Sequence, residues 1–134
     1  MLDTNVLVSG LLWKGAPHRC LQAAEGGLYT LVLAEPILQE LRDKLVAKFK
    51  NTAEEADESL AGLRRVATLV ALTGQRGWVV ADTDDDKFVE AAVIGKADAI
   101  VSGDHHLLDL QVVEGIPVLS PRQFLDHLSG QTSV

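Results

Sequence analysis

A chain of 134 residues with 47% hydrophobic side chains has the size of one domain, and such a chain buries roughly 68% of the surface its unfolded form exposes, without help from disulfides or structural zinc. Its net charge of -7 counts against a plain nucleic-acid-binding module, because phosphate contacts need Lys and Arg. The single cysteine, Cys20, excludes both an intrachain disulfide and a thiolate zinc cage.

The cysteine count suits a reducing cytoplasm. Asp3 stands where a secretory leader carries basic residues, and no apolar run approaches the ~18 residues of a membrane span. A soluble, cytoplasmic protein of one domain over residues 1–134 is therefore expected, with no membrane partner. Charge is unevenly spread: residues 1–65 hold 8 basic and 9 acidic side chains, whereas residues 66–134 hold 4 basic and 10 acidic. Acid gathered in one half is either a solvated face or a metal site awaiting its cation, and composition does not choose between them.

In chain order, short β-type runs alternate with helical patterns and no internal repeat or linker intervenes, which predicts βαβ units around a parallel sheet. Met1-Leu2 reads as the stump of a first strand. Leu31-Val32-Leu33, Trp78-Val79-Val80, Ala99-Ile100-Val101 and Pro117-Val118-Leu119 read as buried strands. Pro36 sits just inside a helix expected to reach Phe49, with Ile37, Leu38, Leu41, Leu45 and Phe49 on one face. Thr52-Ala53-Glu54-Glu55 is a capping box opening a helix expected to reach Leu72. Thr83 is placed to cap a helix from Asp84 to Ile94 that Gly95 ends. Ser120-Pro121 opens the last helix, which is expected to fray from Ser129.

Ligands of open α/β sheets bind beyond the carboxyl ends of the strands. Asp3 follows the first stump, Asp82 to Asp86 follow Trp78–Val80, and Asp104 follows Ala99–Val101 after Ser102-Gly103. Acidic positions from three parts of the chain thus fall at one sheet edge. Each has an ordinary alternative: Asp3 and Asp104 are both placed to cap a following helix, and Asp86 suits a first helical turn. One cap does not need Asp82, Asp84, Asp85 and Asp86 together, however, and such crowding raises carboxyl pKa values unless a cation is present. Glu90, one turn beyond Asp86, can support it. Glu40 pairs as readily with Lys44 in an exposed ion pair. His105 and His106 are adjacent and share no helical face, so they do not make a zinc site. Trp13 and Trp78 read as core residues. A Walker-type phosphate loop and a serine nucleophile elbow are both absent.

Taken in order, these segments resemble the PIN-domain ribonucleases, in particular the toxin components of bacterial toxin–antitoxin pairs. Leu2-Asp3-Thr4-Asn5-Val6-Leu7-Val8-Ser9-Gly10-Leu11-Leu12 is similar to the family's opening motif. Glu35-Pro36-Ile37-Leu38-Gln39-Glu40-Leu41 resembles the helix carrying its second acid. Asp82-Thr83-Asp84-Asp85-Asp86-Lys87-Phe88-Val89-Glu90 resembles the third, Ala97-Asp98-Ala99-Ile100-Val101-Ser102-Gly103-Asp104 the fourth, and Ile116 to Pro121 the closing strand and helix. The resemblance implies a three-layer α/β/α fold with a parallel sheet of about five strands, its first strand cut short to Met1-Leu2.

It further implies hydrolysis of RNA with Mg2+ or Mn2+, a cognate antitoxin that blocks the site, and a homodimer. Carried over residue by residue, Asp3, Glu40, Asp86 and Asp104 are the catalytic acids, with Asp3, Asp86 and Asp104 on the metal. Asn5 and Ser102 then orient them, with Glu90 in support. Hard oxygen ligands select Mg2+ or Mn2+ over softer metals. Arg42, Lys44, Lys48 and Lys50 form a modest basic stretch suited to an RNA backbone or to solvent. Two other readings compete: a degenerate PIN-like module that only binds a partner protein, and a haloacid-dehalogenase-like phosphatase. The latter wants a second acid where Asn5 stands.

Overall fold

A computed structural model of the chain describes residues 1–74, 77–79 and 83–130. Helix α1 (Thr4–Leu12) begins at Asp3, whose carboxylate accepts the Val6 amide hydrogen at 2.9 Å, so the expected cap is made. Helix α2 (Ala16–Glu25) carries Pro17 in its first turn and buries Cys20, Leu21, Ala23 and Ala24. Its sequence had suggested no element. Strand β1 (Val32–Leu33) leads into α3 (Glu35–Ala47), where Pro36 occupies the start that suits its missing N–H, and Ile37, Leu38, Leu41 and Leu45 are buried. The capping box of Thr52 and Glu55 is complete and starts α4 (Ala53–Val66).

Helix α4 stops six residues short of the expected Leu72. Ala67 turns extended, and strand β2 (Thr68–Leu69) pairs in parallel with β1. The β-branched and apolar run from Val66 to Val70 favours that strand over another helical turn. The chain enters the next helix through a 3-10 turn, Thr83–Asp85, so α5 (Asp86–Ile94) begins two residues later than expected. Gly95 ends α5 with an ordinary right-handed φ of -78°. Glycine is required there by space, since a Cβ would run into the Val32 side chain. Strand β3 (Ile100–Val101), the four-residue helix α6 (His105–Leu108), β4 (Val112–Val113), β5 (Ile116–Leu119) and α7 (Pro121–Gly130) complete the order. Ser120 and Gln123 close a reciprocal cap on α7, which continues through Ser129 and Gly130.

The fold is α/β, but one parallel sheet of about five strands is not what the described residues form. They form two ladders: β1 with β2, and the order β3-β5-β4, in which β3 and β5 are parallel while β4 and β5 are antiparallel. Leu2 adds an isolated parallel bridge to Val101: Val101 N–H donates to the Met1 carbonyl at 2.8 Å, and Asp3 N–H to the Val101 carbonyl at 3.0 Å. The first stump is therefore paired, beside β3. Trp78 and Val79 lie in no strand, because Val79 N–H is spent on the Asp86 carboxylate at 2.7 Å and not on a neighbouring strand. Val80, the third residue of that expected strand, lies outside the described residues, as does Asp82.

Helix α1 packs on α2 and α3, α3 on α4, and α5 across β1 and β3. Leu2, Leu7, Leu33, Leu41 and Ile100 are fully buried at the centre. Among the described residues, no helix is long and apolar enough to cross a membrane.

Candidate active site

Pairing of Leu2 with Val101 brings the residues that follow them side by side, Asp3 after the first and Ser102 after the second. Asp3 is 2% exposed and Ser102 wholly buried. The Ser102 Oγ accepts the Asp104 amide hydrogen at 2.9 Å, and its hydroxyl is placed to donate to the Asp3 carboxylate. One hydroxyl thus meets the Asp3 carboxylate and the Asp104 backbone amide, while the Asp104 carboxylate faces α6. Burial pushes the Asp3 carboxyl above its ordinary range, and the charge of Asp104 pushes it further; Ser102, the Val6 amide and Lys44 act the other way without prevailing. Asp104 caps α6 by accepting the His106 amide hydrogen at 2.9 Å, and its side chain remains 25% exposed. A half-open carboxylate beside a buried one is an arrangement that a cation would relieve.

Glu40 approaches from α3. Burial works against its ionisation, but the Lys87 ammonium, the Thr4 hydroxyl and Lys44 outweigh it and hold the carboxyl below its ordinary value. Lys87, one residue into α5, lies 2.9 Å from Glu40 Oε2 and also donates to the Asp84 carbonyl at 2.6 Å. Lys44, expected to pair with Glu40 along its own helix, reaches across to Asn5 Oδ1 at 3.2 Å instead. Asn5 Oδ1 therefore accepts from a lysine. Sequence reading missed Thr4 and Lys87; the pairing of Lys87 with Glu40 spans two helices that no local spacing connects.

Asp86 and Glu90, one turn apart on α5, are 1% and 2% exposed. Asp86 accepts amide hydrogens from Gly77, Trp78 and Val79 at 3.0, 3.0 and 2.7 Å. Glu90 accepts those of Thr73 and Gly74 at 2.8 and 3.0 Å, and the Thr73 hydroxyl besides. Both carboxylates hold the loop before the 3-10 turn, and three of the roughly four lone-pair positions on Asp86 are taken. Asp85, in that turn, is buried. Among the described residues, no three of Asp, Glu, His and Cys gather closely enough to hold a metal ion. Asp3 and Asp104 come together, Glu40 stands behind Thr4 and Lys87, and Asp86 is turned to the loop.

Other chemistry is disfavoured. Burial raises the Cys20 thiol to about 11, so it is no thiolate nucleophile at neutral pH. His105 is exposed to solvent. A groove of about 450 Å³ between α1, α2 and α4, edged by Leu11, Leu21, Leu63 and Arg65, includes none of the four acids.

No curated protein and no solved structure matches the chain. The sequence profile of the PIN domain matches residues 1–106, a span containing Asp3, Glu40, Asp86, Ser102 and Asp104. That match brings with it a nuclease-type fold, in a family whose members are commonly nucleases. With more than half of its length matched, the chain belongs to the PIN domain family.

Proposed function

We propose that the chain is a Mg2+- or Mn2+-dependent endoribonuclease and the toxin component of a toxin–antitoxin pair. The observation that carries the reading is the meeting of the Asp3 carboxylate and the Asp104 backbone amide on Ser102, where segments from opposite halves of the sequence pair and the Asp104 charge acts on Asp3. Two carboxylates fit a Mg2+ site, because that ion keeps several waters and is commonly held by one or two acids. The ion, when bound, would lower the pKa of an attacking water and offset charge developing on the phosphate.

The chain's own part is to place oxygens. Asp3 is fixed by its cap to Val6 and by Ser102, so its carboxylate is oriented before any cation arrives. Asp104 offers the more open carboxylate. Glu40, kept ionised by Lys87 and Thr4, adds a carboxylate on the neighbouring α3. Asp86 enters as the residue that holds the loop, with Glu90 beside it. RNA as substrate, the antitoxin and a homodimer rest on the likeness of the sequence motifs to the toxin branch.

A mixed RNA pool incubated with Mg2+ or Mn2+ tests the reading. Cleavage should stop with chelator and fall at least about a hundredfold in Asp3→Asn and Asp104→Asn, since even groups behind a metal ligand are worth 10- to 100-fold. Cleavage indifferent to chelator, or to both substitutions, would remove the mechanism. A chain that never cleaves RNA but binds a partner protein would instead be a degenerate module, and the grip of Lys87 on Glu40 is the feature that would favour it.

A further inference from the structure

Lys44, Lys48 and Lys87 border a groove of about 640 Å³ along α3 that Glu40 also lines, and each ammonium is held differently. Lys44 reaches Asn5 Oδ1 at 3.2 Å. Lys48 lies 5.9 Å from the Phe49 ring, against which Trp13, expected in the core, packs edge to face while 55% exposed. Lys87 comes from α5 and takes the acid. Its ammonium lies 2.9 Å from Glu40 Oε2, donates to the Asp84 carbonyl at 2.6 Å and stands 4.7 Å from the centre of the Phe88 ring. An ammonium has three N–H donors and no acceptor, so a carboxylate, a carbonyl and an aromatic face make a complete seat for a cation. With the Lys87 and Glu40 side chains 19% and 30% exposed, the pair is screened less than one in open solvent.

Glu40 and Asp3 share neighbours. Thr4 follows Asp3 in sequence and its hydroxyl faces Glu40, and the Lys44 charge acts on both carboxylates. The two acids nevertheless stand in opposite condition. Burial leaves the Asp3 carboxyl above its ordinary range, whereas Glu40, burdened by burial as well, is drawn below its own chiefly by Lys87. We propose that Lys87 is a built-in counter-ion, which occupies Glu40 in the metal-free chain and competes with a divalent cation for it. Lys87 thereby sets the Mg2+ or Mn2+ concentration at which the Asp3–Asp104 site becomes competent. The inference rests on the metal-dependent ribonuclease reading and adds to it a regulation of the same site. It accounts for the finding that, among the described residues, no three possible ligands gather around one point: a carboxylate matched by an ammonium gains nothing from approaching other acids. The displaced ammonium has somewhere to go. Lys87 also borders a cavity of about 390 Å³ lined by Asp84, Asp86 and Glu90, and its flexible four-carbon stem lets the charge turn there without entering apolar surroundings.

Titration calorimetry of the metal-free chain with Mn2+, beside thermal melting in EDTA, tests the competition. Lys87→Met should lower the Mn2+ Kd by about tenfold, the middle of the range for groups in contact. In EDTA the same variant should melt about 2–3 °C below wild type, because Glu40 has lost its partner. A lysine that only braces α3 against α5 would lose stability with no gain in affinity. Lys87→Arg keeps the charge and should bind Mn2+ as wild type does. In a Glu40→Gln background, Lys87→Met should change the Kd by less than about twofold, since nothing is left to compete for. Should Lys87→Met fold poorly by circular dichroism, Lys87→Gln, which still has a donor for the Asp84 carbonyl, replaces it. Unchanged or weaker Mn2+ affinity without Lys87 overturns the competition, and so does an equal gain in the Glu40→Gln background, which would mark a general field effect. Either result leaves the ribonuclease standing if RNA cleavage still stops with chelator and in Asp3→Asn. A Lys87→Met chain that binds Mn2+ where wild type does not supports the competition in its strongest form. Wild type and variant that both fail to bind Mn2+ and to cut RNA remove both readings.

Discussion

Asp86 spends its carboxylate on three amide hydrogens, from Gly77, Trp78 and Val79, and that decides what its substitution should do. Hydrogen bonds to a charged group contribute about 1.5–3 kcal/mol each, less where water can replace them. Asp86→Ala should therefore destabilise the chain by about 2–4 kcal/mol and shift the emission of Trp78, whose own amide is one of the three. Asp86→Asn keeps an oxygen for Trp78 and Val79 and should cost clearly less. Mn2+ affinity, measured by titration calorimetry, should be nearly the same in Asp86→Asn as in wild type. A large loss of affinity there would make Asp86 a metal ligand and the loop bonds incidental. The partnership of Asp3 with Asp104 was legible in the sequence, because each follows a strand and the strands pair. The loop contacts of Asp86 were not, since its partners there are backbone groups and carry no side-chain signature.

Among the elements, those with a start signal were read most closely. Pro36 marks the beginning of α3, Thr52 and Glu55 that of α4, and Ser120 with Pro121 that of α7. Thr52 Oγ1 accepts the Glu55 amide hydrogen at 3.0 Å, and Glu55 returns the bond to Thr52 N–H at 2.8 Å. Thr52→Ala removes half of that reciprocal cap and should cost about 1 kcal/mol, read as a lower urea midpoint at unchanged slope. RNA cleavage should be unaffected, because α4 contributes no acid. Ends were harder to read. Helix α4 was carried too far because Leu69 and Leu72 continue its apolar face, while pairing of β2 with β1 is a long-range gain invisible to local periodicity. Helix α1 gave little helical period since Thr4, Val6, Leu7, Val8 and Gly10 are buried around most of its circumference. At Trp78 and Val79 the expected strand gives way because the Asp86 carboxylate takes the amides that ladder bonds would have used.

At the scale of the whole molecule, a net charge of -7 and a buried aspartate beside a second one set stability against function. Burial first, and then Asp104, raises the Asp3 carboxyl above its unfolded value. A raised carboxyl binds its proton more tightly in the native state, so its contribution to stability is complete below the unfolded value, about 4. That contribution is lost as the pH rises through the folded value. Above the unfolded value, metal-free protein therefore bears a growing cost for the Asp3 carboxyl, whether it keeps its proton or ionises. Asp3→Asn keeps an oxygen for the Val6 cap and for Ser102 while shedding the charge, and Asn caps as well as Asp. In EDTA at pH 7 the variant should melt a few degrees above wild type, as each kcal/mol moves the midpoint by roughly 3 °C at this size, and the gap should close below about pH 4. Mn2+ at 100 times its Kd should return about 2.7 kcal/mol to wild type and little to the variant. An Asp3→Asn protein less stable than wild type in EDTA at pH 7 would mean that Asp3 is a structural cap first, with its ionised form already well solvated, and the electrostatic case for a cation between Asp3 and Asp104 would lose its ground.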